Sequence, residues 1–315
     1  MYLTVTPNSA LDRVYFIDAF IPGNRMVATK SVESVGGKGL DASVALRGLN
    51  LETLALGFVA GNNGLALVNL LDNHGIHYDL IWVEGETRLA MVIVEQSYHR
   101  HSHIMSGGYT VPASAQEELF SRFERSLDSV RWIILAGSLP QGIPPDFYAR
   151  LTLAAKRSGK PVLIDCPGEP ARQSLLASPT ILKMNWQEFN QTFRVSPDSL
   201  DTLALQASEI RSSMNLPSLV VTCGEEGILA ITPQMSLLAK APRQEAVNAA
   251  GAGDATSAAL AWRLSLGDPW PEALRWAAAT GAAAVLTEKT GECHFEDVVR
   301  LLPSVQVREI SPSKL

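Results

Sequence analysis

The residues best placed to do chemistry lie in one glycine-rich segment. Residues 248–254, Asn-Ala-Ala-Gly-Ala-Gly-Asp, come directly before Ala255–Leu266, an alanine-rich stretch that predicts a helix. Backbone amides at a helix start carry partial positive charge, so those of Gly251–Gly253 could hold a phosphoryl group. Asp254 could take a proton from an alcohol beside that group. Helix initiation, with Asp254 as a dipole partner, explains the same residues without catalysis, and both interpretations stay open.

Two further glycine clusters are weaker signals on their own. Residues 36–39, Gly-Gly-Lys-Gly, open the predicted helix Gly39–Leu49. They are not a Walker P-loop, because glycine rather than Ser or Thr follows the lysine, and they lack the Rossmann spacing. A third pair, Gly224 and Gly227, follows the predicted strand Leu219–Thr222 and indicates either an ordinary turn or a loop at the edge of a nucleotide.

Asn185 and Glu188 follow another predicted strand, Ile181–Lys183. Asn followed three residues later by Glu is a capping box, which is the simpler interpretation. A carboxylate and an amide near Mg²⁺ is the functional alternative, since Mg²⁺ binds through a few carboxylates, waters and substrate phosphates.

Three histidines alternate along one predicted strand. His99, His101 and His103 would share one face, because side chains repeat with period two along a strand. Metal ligation or a phosphate contact is one hypothesis. A solvated face or a dimer contact is favoured, because no nearby Cys or acidic residue completes a metal site.

Composition limits the classes of protein that could hold these motifs. The chain has 315 residues, 46% of them hydrophobic and 18% charged, which predicts a substantial core and excludes a disordered segment. A net charge of −6 disfavours nucleic-acid binding. Scattered Cys166, Cys223 and Cys293 favour a reducing compartment. Residues 1–6 do not resemble a signal peptide, and Trp276–Leu286, the longest apolar stretch, is too short to span a membrane. We expect a cytoplasmic protein with no membrane partner.

Short β-branched runs alternate with amphipathic segments along most of the chain, which predicts βαβ units, a parallel sheet and helices on both faces. The predicted strands are Leu3–Thr6, Thr53–Val59, Trp132–Leu135, Val162–Ile164, Ile181–Lys183 and Leu219–Thr222. The predicted helices are Gly39–Leu49, Leu65–Asn73, Ala115–Leu127, Phe147–Arg157 and Leu200–Met214.

Two segments, 12–35 and 87–106, interrupt that alternation. The second predicts a hairpin of Leu89–Glu95 and His99–Met105, and together the segments predict four short strands outside the parallel core. Such a sheet could form a lid over the carboxyl ends of the core strands. Because it has one apolar face to cover and open edges, we expect a homodimer through the lid.

Together these motifs resemble the phosphofructokinase B (ribokinase-like) family of sugar kinases, in particular its branch of 1-phosphofructokinases and tagatose-6-phosphate kinases. The resemblance spans nearly the whole chain. The motifs that carry it are Thr4–Asp12 with Asn8, Asn24-Arg25, Gly36–Gly39, Gly85–Arg88, Gly137–Pro140, Asp165–Gly168, Lys183–Glu188 and Gly251–Asp254.

The resemblance implies an α/β fold: a single ribokinase-like three-layer αβα domain over 1–315, with a mostly parallel central sheet and a small β-sheet lid. It implies ATP-dependent phosphorylation of a sugar phosphate. Asp254 would be the general base, and the anion hole would consist of Gly251, Ala252 and Gly253. Asn185 and Glu188 would organise Mg²⁺ through water. A monovalent cation is a further expected cofactor.

The resemblance also assigns two binding sets. The residues implied to bind the sugar phosphate are Asp12, Arg25, Gly37, Lys38, Gly39, Asp41, Arg88 and Ser138. The residues implied to bind ATP are Lys183, Asn185, Thr222, Gly224, Gly227, Asn248, Ala279 and Ala283, the last two on a helix bordering the adenine.

The chain departs from the branch on the sugar side. Asp41 stands where the branch has Asn, Ser9 replaces a proline, Met184 replaces another, and Ser102-His103 replaces a Thr-Glu pair. Phosphoryl transfer from ATP is therefore better supported than the identity of the acceptor.

Two alternatives remain. The first is a kinase of an unphosphorylated sugar or nucleoside. Convergence of Arg25, Lys38 and Arg88 on a terminal phosphate would disfavour it, while Asp41 leaves it open. The second is a non-catalytic sugar-binding regulator on the same scaffold, which would have no use for Asp254 as a base.

Overall fold

The computed structural model describes residues 1–98 and 100–310. Two sheets contain its strands. The strands are β1 Tyr2–Thr6, β2 Ala10–Ile17, β3 Lys30–Gly36, β4 Thr53–Val59, β5 His77–Trp82, β6 Arg88–Glu95, β7 Arg100–Met105, β8 Trp132–Ala136, β9 Val162–Asp165, β10 Ile181–Asn185, β11 Leu219–Thr222, β12 Ile228–Ile231, β13 Ser236–Lys240 and β14 Gln306–Glu309.

The large sheet has ten strands in the order β14-β13-β12-β11-β10-β9-β8-β1-β4-β5. The seven strands from β11 to β5 are parallel, which confirms the parallel core predicted from the sequence. Strands β12, β13 and β14 extend it in antiparallel fashion at one edge. The sequence analysis did not predict these three strands, and it did not predict β5 at the other edge.

Helices cover both faces of the large sheet. They are α1 Lys38–Gly48, α2 Gly61–Asn73, α3 Ala113–Ser126, α4 Phe147–Arg157, α5 Gly168–Ser174, α6 Trp186–Phe193, α7 Leu200–Ser213, α8 Ala252–Ser265, α9 Trp270–Ala284 and α10 Phe295–Leu301.

The alternation of side chains along β8 shows why there are two hydrophobic cores. Ile133 and Leu135 point to one face, where they pack in the core formed with α3 to α7. Trp132, Ile134 and Ala136 point to the other face and pack in the core formed with α1, α8, α9 and α10. Successive residues of a strand point to opposite faces, so one fully apolar strand supplies both cores.

The small sheet has the order β3-β2-β6-β7 and corresponds to the predicted lid. The hairpin of β6 and β7 is antiparallel, as predicted, whereas β2 and β6 come from separate segments and pair in parallel. Within the predicted segment 12–35, β3 begins at Lys30, and residues 18–29 form a loop. Valines of the apolar face, among them Val14 and Val92, are already buried within the chain.

Among residues 1–98 and 100–310, none of the helices has the length and apolar content that crossing a membrane requires.

Candidate active site

A cleft of about 1060 Å³ opens at the carboxyl ends of the parallel strands. Ligand sites of α/β proteins occur at this edge, because the loops that follow parallel strands meet there. The small sheet contributes Asp12, Ala90, His103 and Met105 to the lining, and the opposite wall comes from the region around β11 and α9.

The glycine-rich start of α8 lies in this cleft. Gly251 has φ +80°, and a Cβ there would lie 2.2 Å from the backbone nitrogen of Gly291, so only glycine fits. Gly253 is in the first turn of α8, where a backbone amide has no intrahelical acceptor. Asp254 follows in the same turn and is only 8% exposed. The helix start therefore places amide donors and a buried carboxyl side by side.

Burial, followed by the charge of Asp165, raises the pKa of Asp254 to about 8. Lys38 and Lys183 act in the opposite direction. The ionised form of Asp254, which is the form that a general base requires, therefore predominates only above about pH 8.

Asp165, at the end of β9, connects two lysines inside the site. Its Oδ1 accepts a hydrogen bond from Lys38 Nζ at 2.8 Å, and its Oδ2 accepts from Lys183 Nζ at 2.5 Å and Ser257 Oγ at 3.1 Å. Lys38 Nζ also donates to Glu188 Oε1 at 2.7 Å. Burial alone would raise the pKa of Asp165, but Lys183 and Lys38 hold it well below its usual range.

Asn185 and Glu188 form the capping box of α6. Glu188 N donates to Asn185 Oδ1 at 2.7 Å, and Asn185 N donates to Glu188 Oε2 at 3.0 Å. Both side chains also line the cleft. A carboxylate has about four acceptor positions, so the oxygens of Glu188 retain capacity for the water shell of Mg²⁺. The donor set therefore fits a hydrated Mg²⁺ as well as the cap.

The lid side of the cleft is lined by Asp12, Asp41 and Arg88. Arg88 Nη2 donates to the carbonyl oxygen of Asn8 at 3.2 Å, and Asn8 Nδ2 donates to Ser138 Oγ at 3.0 Å. Burial raises the pKa of Asp12 to about 7. Burial, together with the charge of Asp12, raises the pKa of Asp41 well above its usual value.

The opposite side of the cleft contains several small residues. Thr222, Gly224 and Gly227 line it, as the sequence predicted, together with Lys183. The face of α9 toward the cleft consists of Ala278, Gly281 and Ala282, followed by Val285.

Most of the predicted site residues therefore meet in one cleft. The predicted residues that line it are Asp12, Gly37, Lys38, Asp41, Arg88, Ser138, Lys183, Asn185, Glu188, Thr222, Gly224, Gly227, Gly251, Ala252, Gly253 and Asp254.

Five predicted residues do not line the cleft, each for a local reason. Arg25 is exposed in the loop of residues 18–29. Gly39 packs against β1, where a Cβ would lie 2.4 Å from Thr6 Oγ1. Asn248 is buried and stabilises its own loop, accepting from the amide of Ala250 at 3.0 Å. Ala279 and Ala283 point into the core, since the face of α9 toward the cleft is one residue out of phase with them. Arg25, Lys38 and Arg88 are thus not brought together, and Lys38 pairs with acidic groups instead.

Two of the three histidines are in the described part of the chain. His103 lines the cleft, and burial lowers the pKa of both His101 and His103. His99 lies outside the described residues. Within the described ranges, no group of three or more His, Cys, Asp or Glu side chains is placed to hold a metal ion.

Sequence reasoning assigned no role to Asp165 or Ser257. Asp165 was visible as an acidic residue at the end of a predicted buried strand, and an acid in that position at the edge of a parallel sheet is a usable signal. Ser257, one turn after Asp254 in α8, carries no signal of its own in the sequence.

The chain is similar to known proteins along almost its whole length. The family described as pfkB family carbohydrate kinase matches residues 8–297. A structure named "possible 1-phosphofructokinase" from Thermotoga maritima has a TM-score of 0.89 at 24% identity and covers 99% of this chain and 100% of its own. Phosphofructokinase-2 from Escherichia coli, in complex with substrates and products, has a TM-score of 0.87 at 22% identity over 96% of this chain and 98% of its own.

Ribokinase from Arabidopsis thaliana, complexed with ribose and ATP, has a TM-score of 0.74 at 20% identity and covers 95% of this chain and 98% of its own. The likeness confirms the predicted ribokinase-like fold.

The buried ion pairs give a prediction about stability. Asp165→Asn leaves the buried Lys183 and the half-buried Lys38 without their shared carboxylate, so we expect the free energy of unfolding to fall by about 3–5 kcal/mol at neutral pH. The pKa of Asp165 is depressed in the folded chain, so its contribution is present above the pKa of an unfolded Asp and is lost as the pH falls below it.

Denaturant unfolding of Asp165→Asn and of a control, Glu169→Gln, measures this. Glu169 pairs with Arg172 at the surface, at 2.7 Å, and exposed pairs contribute only about 0–1 kcal/mol. Equal midpoints for the two variants would contradict the structural role of Asp165.

Proposed function

The chain belongs to the pfkB family of carbohydrate kinases, and we propose that it transfers the γ-phosphoryl group of ATP to a hydroxyl of a sugar phosphate. The observation that carries the proposal is the buried Asp254 beside the glycine-rich start of α8. A base next to amide donors is what transfer of a phosphoryl group to an alcohol needs.

In the proposed mechanism, Asp254 removes the proton of the acceptor hydroxyl as its oxygen attacks the phosphorus. The amides of Gly251, Ala252 and Gly253 stabilise the negative charge of the phosphoryl oxygens. Lys38 and Lys183 each make hydrogen bonds to acidic partners, and each ammonium has three donors. Both lysines therefore retain donor capacity for the phosphates of ATP.

Asn185 and Glu188 are proposed to hold Mg²⁺ through its water shell, which would neutralise charge on the phosphates of ATP. Thr222, Gly224 and Gly227 are proposed to border the nucleotide, with the small residues of α9 beside the adenine. A monovalent cation belongs to the same proposal, since a structure of phosphofructokinase-2 from Escherichia coli is in complex with potassium.

Arg88 is the proposed contact for the phosphate already on the acceptor. Its Nε is buried and has no hydrogen-bond partner among the described residues. A buried guanidinium donor without a partner is costly, and a phosphate oxygen would satisfy it. An unphosphorylated sugar is the second candidate, because Lys38 is paired with acids and Arg25 is exposed. Turnover of matched sugars and sugar phosphates distinguishes the two.

Asp254→Asn tests the base. The amide keeps the size of the side chain and removes the proton acceptor, so we expect kcat to fall by about 10²- to 10⁴-fold while the affinity for ATP changes little. Steady-state kinetics and ATP binding by calorimetry measure the two effects. A variant with near-normal turnover would contradict the assignment.

The raised pKa of Asp254 predicts a pH profile. A base acts only in its unprotonated form, so kcat/KM for the acceptor should fall as the pH drops below about 8 and level off above it. Initial rates from about pH 6 to about pH 10 at saturating ATP measure this limb. An acceptor that is phosphorylated slowly should show the same fall in kcat/KM below about pH 8. A flat profile over this range would mean that the pKa of Asp254 in the working enzyme is lower than about 8.

We further propose that two chains associate through the lid. The strand β7 lies at the edge of the small sheet and exposes Ile104 and Met105, each about 50% exposed. An edge strand with apolar side chains is a site for pairing. Phosphofructokinase-2 from Escherichia coli has a structure of a tetrameric form, so its chains also assemble.

Ile104→Lys tests the lid contact. A lysine in a buried interface would leave an unpaired charge, so we expect this variant to be monomeric at micromolar concentration while the parent is a dimer. Light scattering measures the mass. Leu176→Lys changes another exposed apolar residue, on the helical side, and should leave the dimer intact. A monomeric parent chain with full activity would overturn the proposal.

A further inference from the structure

The lid side of the cleft contains a carboxyl group that its own chain does not satisfy. Asp41, in the first turn of α1, is 4% exposed, and its Oδ1 has no hydrogen-bond partner among the described residues. Gly291 packs directly on it, since a Cβ there would lie 2.9 Å from Asp41 Cβ. The carboxyl lines the cleft. A ligand in the cleft could therefore supply the partner that Oδ1 lacks.

The charges around Asp41 do not balance within the chain. The groups that act on it are Asp12 on β2, Asp254 on α8 and Arg88 on β6, while the backbone at Gly37 faces it from the start of α1. His103 on β7 lines the same side of the cleft. Lys38 and Lys183 are held by Asp165 and Glu188, so Arg88 is the cation that faces this acidic set.

Arg88 does not neutralise the two aspartates by direct contact. Its Nη2 donates to the carbonyl oxygen of Asn8, and its Nε has no partner among the described residues. Asp41 Oδ1, an acceptor, and Arg88 Nε, a donor, thus both lack a hydrogen-bond partner among the described residues on the same side of the cleft. A ligand that carries both an anionic group and a cationic group would complement both.

We propose that the acceptor is an amino-substituted sugar phosphate, with its phosphate on Arg88 and its ammonium group between Asp41 and Asp12. This inference rests on the proposed function and names the chemical class of the acceptor. An ammonium donates three hydrogen bonds and accepts none, which matches carboxylate oxygens that only accept. Burial favours the neutral form of both carboxyl groups, and an ammonium between them would stabilise their ionised forms.

A plain hydroxyl fits this place less well. It can donate one hydrogen bond to Asp41, but it brings no charge, and the carboxylate would remain buried without compensation. Charge-assisted hydrogen bonds are stronger than neutral ones by a margin that corresponds to roughly tenfold in affinity. The proposal therefore predicts a measurable preference for an amine over the hydroxyl at the same position.

Calorimetric binding without ATP tests the preference directly. The probes are glucosamine 6-phosphate against glucose 6-phosphate, and 1-amino-1-deoxyfructose 6-phosphate against fructose 6-phosphate. We expect the unmodified enzyme to bind at least one amino compound about tenfold or more tightly than its parent. Equal or weaker binding of the amino compound in both pairs would overturn the proposal, whatever the variants show.

Asp41→Asn should remove that preference while the parent sugar phosphates bind as well as before or better. Glu226→Gln removes another carboxylate of the same cleft, on the nucleotide side and paired with Lys240, and should leave the preference unchanged. A preference that survives Asp41→Asn would also overturn the assignment.

Turnover of the same probes with ATP and Mg²⁺ distinguishes a failure of the proposed kinase function from a failure of the proposed acceptor class. Phosphorylation of the parent compounds without preference for amines would support the kinase function and overturn the acceptor class. Selective binding of an amino compound without turnover of any probe would support the ligand class and count against the proposed phosphoryl transfer.

Discussion

The buried carboxylate of Asp165 is the contact on which the geometry of the whole cleft depends. It lies at the end of β9 and binds Lys38 from α1, Lys183 from β10 and Ser257 from α8. A buried charge is stable only when its partners are in place, so Asp165 restricts where these elements can lie. Apolar packing holds the helices against the sheet. The hydrogen bonds of Asp165 then determine how the first turns of α1 and α8 lie relative to each other.

The same network sets the chemistry of Asp254. Burial, Asp165 and Glu188 favour the protonated form of this carboxyl, while Lys38 and Lys183 favour the ionised form. Because these effects oppose one another, the proton affinity of Asp254 depends on groups that belong to four other elements, namely β9, α6, α1 and β10. In the proposed mechanism the lysines act in two ways, as ligands for phosphate and as determinants of when Asp254 can accept a proton.

Local patterns in the sequence were enough for much of the fold. Thr53–Val59 and Leu219–Thr222 were predicted with the bounds that the structure shows, because short β-branched runs between turn signals are typical of buried strands. The antiparallel strands β12 and β13 were missed, since each is short and depends on its sheet neighbours.

In the candidate site, the motif around Asp254 was predictable because the start of the helix and the acidic residue are adjacent in the sequence. The role of Asp165 was not, because Lys38 is 127 positions away.

The register of the small sheet, as well as its residues, determines which of its side chains line the cleft. Asp12 and Arg88 reach the cleft together because β2 and β6 pair with Ala10 opposite Arg88 and Asp12 opposite Ala90. Gly36 on β3 makes room for the carboxyl, since a Cβ there would lie 2.0 Å from Asp12 Oδ1. A slip by one residue would turn Asp12 to the other face of the sheet and remove half of the acidic pair. The acidic charge on this side of the cleft is therefore a property of strand pairing, and under the proposed function substitutions far from the cleft that shift this register should alter specificity before they alter phosphoryl transfer.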